Sequence, residues 1–105
     1  MSQKQTRNHP RHVFPMPIQI DAGGRTLAAE CVNVGLGGAL LRCPEAIAFG
    51  ACITLRFRLP TLEQDSVVEA VVRWFDDQGV GVQFQSLRAR DVWALNQLFL
   101  RLTAA

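Results

Sequence analysis

The stretch ACITLRFRL, residues 51–59, constrains the fold more than any other part of the chain. Ile53, Leu55, Phe57 and Leu59 alternate with Thr54, Arg56 and Arg58, the period-two pattern of a strand with one face in a core and one in water. The pattern recurs upstream, where Ile18 and Ile20 alternate with Gln19 and Asp21 and Gly23-Gly24 supply a tight reversal into TLAAECVN. ALLRC is a short strand after the glycine-rich turn NVGLGG. SVVEAVVRWF and GVGVQF form a hairpin around DDQ, with Val68, Ala70, Val72 and Trp74 on one face of its first strand. Strands of this kind must hide their edges. About six antiparallel strands joined by short turns read as a small β-barrel, in which closure removes the edges.

The period changes near the end. In RARDVWALNQLFLRL, Val92, Leu95, Phe99 and Leu102 fall at helical spacing, with Arg90, Asn96, Gln97 and Arg101 on other faces. This predicts a C-terminal α-helix over about 88–102, with Ser86 as its N-cap. Trp93 and Leu100 fall off that stripe, under the barrel or as an apolar patch for a partner. At the front, Pro10, Pro15 and Pro17 disfavour helix and favour an extended approach to the domain. The expected class is mostly β: a six-stranded antiparallel barrel with one helix. A flexible tail over 1–12 precedes a single domain over 13–105.

Composition removes several functions. Hydrophobic residues make up 49% of the 105 and charged residues 19%, a globular balance. Apolar runs are too short to span a bilayer, and the polar N-terminus has no signal-peptide core, so a cytoplasmic protein without membrane insertion is expected. Lys4, Arg7 and Arg11 give residues 1–12 a charge of +3, while residues 13–105 carry −1. The positive surplus is therefore a local anion-attracting tail, not a basic face for nucleic acid. Cys31, Cys43 and Cys52 fit no zinc template and read as small buried thiols of a reducing compartment.

Catalysis finds little support. The only histidines, His9 and His12, lie in the tail, where two ligands on a flexible segment make a poor metal site. No nucleophile motif is present, so no enzyme is expected. GLGGAL has Leu40 where a dinucleotide fingerprint needs its third glycine, so it reads as a turn with residues at positive φ whose amides lie open to an anionic ligand. Arginine is the remaining chemistry. Arg7 and Arg11 can grip phosphate or the O6/N7 edge of guanine with two-pronged hydrogen bonds.

Taken in order, RNHPR (Arg7 to Arg11), then NVGLGG (Asn33 to Gly38) about twenty residues later, then the strands and helix, the chain resembles a PilZ domain over nearly its whole length. PilZ domains are bacterial receptors for the second messenger cyclic di-GMP, and their paired signature is R-x-x-x-R followed by [D/N]-x-S-x-x-G. The resemblance implies that Arg7 and Arg11 hold guanine and phosphate groups. It implies that Asn33 binds a guanine edge and that Gly38 turns the backbone near the ligand. Gly35 stands where the family has serine, so a hydroxyl is missing, and Gly35→Ser is expected to tighten binding. Trp74 reads as a base-stacking platform or a core tryptophan, and Arg73 as an aid to an anionic ligand or a solvated residue. The expected function is a cyclic di-GMP receptor that orders its arginine tail over the ligand and relays the signal in trans to a protein effector. Motility, pili, exopolysaccharide and biofilm are the outputs the resemblance implies. The alternative is a degenerate PilZ-type adaptor that binds proteins and not the dinucleotide.

Overall fold

The structure is a computed structural model and describes residues 10–103. Its elements are β1 (His12–Ala22), β2 (Arg25–Val34), β3 (Gly38–Arg42), β4 (Cys52–Phe57), β5 (Ser66–Asp76), β6 (Gly79–Phe84) and α1 (Ala89–Thr103). The strands close into a barrel in the order β1-β2-β3-β6-β5-β4, with β1 and β4 completing the ring. Every pairing is antiparallel. The alternation in residues 51–59 is obeyed: Ile53, Leu55, Phe57 and Leu59 are buried, and Arg56 and Arg58 are exposed.

β1 begins earlier than the prolines suggested. His12, assigned to the tail, opens the strand, and Pro15 and Pro17 lie inside it. Only Gln19, Ile20 and Asp21 of β1 pair with β4, so the first half of the strand is hydrogen-bonded on its β2 side alone. A residue without an N–H is tolerated on such a half-open edge, and Pro15 falls within a register shift between Val13 and Met16.

Antiparallel alternation brings the start of β1, the β2–β3 turn and the start of β5 to one end of the barrel. Helix α1 is fastened at that end. Ser66, at the head of β5, donates its hydroxyl to Asp91 Oδ1 at 2.7 Å, and both residues are buried. Arg90 donates to Gln64 Oε1 and the Asp65 carbonyl, each at 3.0 Å. At the opposite flank, His12 stacks on Phe99 with ring centroids 4.3 Å apart.

These contacts correct two expectations for the helix. Its cap is Arg88, not Ser86: the amides of Asp91 and Val92 donate to the Arg88 carbonyl, and Asp91 Oδ2 accepts from the Arg88 amide at 3.3 Å. This is the reciprocal half of a capping box, with the acid also favoured by the helix dipole. The buried stripe is Asp91, Ala94, Leu95 and Leu98, whereas Leu102 is 41% exposed. The stripe read from the apolar residues did not include Asp91; with its bond to Ser66, this carboxylate heads the inner face of the helix. The cysteines need correcting as well. Cys31 is buried, Cys43 is half-buried and Cys52 is exposed, because Cys52 has the outward parity of β4.

Candidate ligand-binding face

Two register shifts build the site. Cys31 pairs with Leu41, but Asn33 pairs with Leu40, so Val32 is an extra residue in β2. Cys31, Leu41, Val34 and Ala39 are all buried in the core. Without the bulge, Asn33 would share the inward parity of Cys31; with it, Asn33 sits opposite the outward Leu40. The Cys31 thiol donates to the Asn33 carbonyl at 3.4 Å across this irregularity. In β5, Val72 pairs with Val82 and Trp74 with Gly81, which makes Arg73 the extra residue.

The second bulge overturns the placement of Trp74 on the same face as Val68, Ala70 and Val72. Those three are buried inside, while Trp74 is half-buried outside, with its indole seated on Gly81. A Cβ on Gly81 would run into the indole ring, so glycine there is what lets the ring lie flat on the sheet. Pairings then link Val13, Asn33, Leu40, Gly81 and Trp74 in one row across β1, β2, β3, β6 and β5. At a strand spacing of about 4.8 Å, Asn33 and Gly81 stand roughly 10 Å apart, the scale of a dinucleotide. Leu40 and Gly81 lie in this row between Asn33 and Trp74, and sequence reasoning had singled out neither as a site residue. The one available signal was a glycine in a valine-rich strand facing a tryptophan.

The β2–β3 turn borders the row. Left-handed backbone occurs at Gly23, Gly24, Gly50 and Gly79, and at none of the glycines of NVGLGG, against expectation. Glycine is used there for close approach. A Cβ on Gly38 would collide with the Val82 carbonyl of β6, and one on Gly35 would lie 2.6 Å from the Pro10 carbonyl. The turn is closed by Gly35 N donating to Gly38 O at 2.9 Å and tied to β6 by Phe84 N donating to Gly37 O at 2.9 Å.

Asn33 Oδ1 is buried and receives no hydrogen bond among the described residues. Such an acceptor costs about 1–3 kcal/mol unless a partner arrives. Arg11, half-buried, lies close enough to Cys31 for its charge to act on that thiol. Burial pushes the Cys31 thiol up to about 12, Arg11 partly offsets this, and Glu30 adds to it. Arg73 is exposed beside Trp74, and its Nε donates to Gln83 Oε1 at 2.6 Å. Arg7 and His9 lie outside the described residues. The structure thus brings Arg11, Asn33, Gly35 and Gly38 to one end of the barrel and aligns Asn33 with Trp74. Behind the turn, a groove of about 450 Å3 is lined by Pro10, His12, Leu36, Asn96, Phe99, Leu100 and Thr103.

The comparisons agree with this architecture. The profile of the PilZ domain family matches residues 5–102, and the chain belongs to that family, as its signature residues suggested. Its fold is shared by the inhibitor of motility MotI/DgrA of Bacillus subtilis. That structure has a TM-score of 0.73 at 24% identity, over 92% of this chain and 51% of the other. The chain therefore spans about half the length of that protein. The PilZ domain of CeSA from a cellulose-synthesising bacterium superposes with a TM-score of 0.68 at 12% identity, over 90% of this chain and 99% of the other. No curated protein sequence matches. Among the described residues, no helix is long and apolar enough to cross a membrane.

Proposed function

We propose that this protein is a cyclic di-GMP receptor that acts on a protein partner and catalyses no reaction. The outer row Asn33–Leu40–Gly81–Trp74 floors the dinucleotide, and Arg7 and Arg11 close over it. The observation that carries this reading is Asn33 Oδ1, a buried acceptor without a donor among the described residues, at a turn close to Arg11 and in register with an outward tryptophan. Guanine offers the missing donor through its N2 amino group. The indole offers a flat surface for a base, and guanidinium groups answer the phosphates with charge-assisted hydrogen bonds. Arg73, next to Trp74, adds positive charge at the far end of the row.

Closing of Arg7 and Arg11 over the dinucleotide changes the surface at the end of the barrel where α1 sits. Trp93 and Leu100 of α1 are 54% and 64% exposed and offer that partner an apolar contact. A cytoplasmic role in motility, exopolysaccharide or biofilm control fits the family and the motility inhibitor with the same fold.

Calorimetric titration with cyclic di-GMP tests the reading. Binding is expected to weaken by roughly tenfold to a hundredfold in Arg11→Ala and in Asn33→Ala, and to weaken with added salt. No heat at roughly tens of micromolar ligand would sink the receptor reading and leave the protein-binding adaptor in its place.

A further inference from the structure

We propose that Gly35 is a seat for the chain's own Pro10–Arg11 main chain, and that glycine at this position holds Arg11 in place before ligand arrives. The hydroxyl missing at position 35 is then not a simple loss. A Cβ built on Gly35 would stand 2.6 Å from the Pro10 carbonyl oxygen, 3.4 Å from its carbon and 3.3 Å from Arg11 Cγ. Comfortable contacts between carbon atoms begin near 3.5 Å. Gly35 is buried and its φ is not left-handed, so nothing in its own conformation calls for glycine. The requirement comes from the segment lying on it.

The turn has no room to yield. Gly35 is bonded to Gly38, Gly37 is bonded to Phe84, and Gly38 is pressed against the Val82 carbonyl. On the other side, His12 is fixed by its pairing with Val34 and its stack on Phe99. Pro10 and Arg11 are therefore held between two fixed points, and a side chain at position 35 displaces them rather than the turn. Under the proposed function, a seated Arg11 has less freedom to lose when a phosphate binds. Filling the seat removes that advantage, whether or not the added group carries a hydroxyl.

Alanine and serine at position 35 separate volume from hydrogen bonding. Gly35→Ala and Gly35→Ser are both expected to weaken cyclic di-GMP binding by roughly two- to tenfold, since each frees one long side chain. Without ligand, both variants are expected to be cut by trypsin after Arg11 several times faster than the native protein, read by mass spectrometry. In the ligand-free native protein, nuclear Overhauser contacts are expected between the Gly35 α-protons and the Arg11 side chain, which decides the matter even if a variant misfolds. Tighter binding in Gly35→Ser, unchanged cleavage in both folded variants, or no such contacts would each overturn the seat. The cleavage and the Overhauser contacts need no ligand. A native protein that binds nothing but shows both would refute the receptor and keep the seat; one that binds but shows neither would do the reverse.

Discussion

Replacing Asp91 by alanine should loosen the helix from the barrel, and its cost can be worked from the contacts. Asp91 is 1% exposed and Ser66 0%. Alanine strands the Ser66 hydroxyl in a dry site, a penalty of about 1–3 kcal/mol. It also removes the acceptor for the Arg88 amide at the helix start, worth about 1 kcal/mol. The 3.7 Å ion pair to the partly exposed Arg90 adds little. The expected loss is about 3 kcal/mol, equal to a fall in Tm of roughly 10–25 °C for a domain of this size. Urea unfolding followed by circular dichroism measures it. Asp91→Asn keeps an acceptor for Ser66 and should cost about 1 kcal/mol, and the Ser66→Ala/Asp91→Ala cycle should show coupling of about 1 kcal/mol or more. A loss below about 1 kcal/mol in Asp91→Ala, or equal losses in alanine and asparagine, would refute the claim that this bond fastens the helix.

Other outcomes follow from the same contacts. Trp74→Ala should weaken cyclic di-GMP by roughly 5- to 100-fold in calorimetry, and Trp74→Phe by less, because a base loses its stacking surface. The Cys31 thiol, lifted from an ordinary 9.0 to about 12, keeps its proton in the fold while the unfolded chain loses it. Its contribution to stability should therefore hold below about pH 9 and decline from 9 toward 12, by at most about 1.4 kcal/mol per pH unit, measured as the urea midpoint against pH. Cys31→Val should remove that part of the decline. Iodoacetamide at neutral pH should label the exposed Cys52 well before Cys31, with mass spectrometry reading the order.

Much of the barrel was legible because alternation is local. Residues 51–59 show which side faces the core without reference to any neighbour, and the hairpin at Asp77-Gln78 falls where the charged break in two valine-rich runs places it. The bulges were not legible. Val32 and Arg73 look like ordinary strand residues, and only pairing with the next strand makes either one extra. A single insertion reverses every later side chain, which is why Trp74 was placed on the face of Val68, Ala70 and Val72 when it lies on the other. Asn33 was singled out through its motif, yet its place opposite the outward Leu40 depends on the first bulge. The helix stripe was misplaced because a carboxylate is presumed to face water, and no periodicity reveals that Ser66 waits for it. Gly35 was legible only as a missing hydroxyl, since the carbonyl that fills its space belongs to Pro10, far back in the chain.

Chemical-shift mapping of isotopically labelled protein during addition of cyclic di-GMP tests the central claim most directly. The account predicts saturable shifts at Arg11, Asn33 through Gly38, Gly81 and the Trp74 indole N–H, with the Gly23-Gly24 turn at the opposite end of the barrel unchanged. No shifts at roughly millimolar ligand, or shifts that spare Asn33 and Trp74, would contradict it.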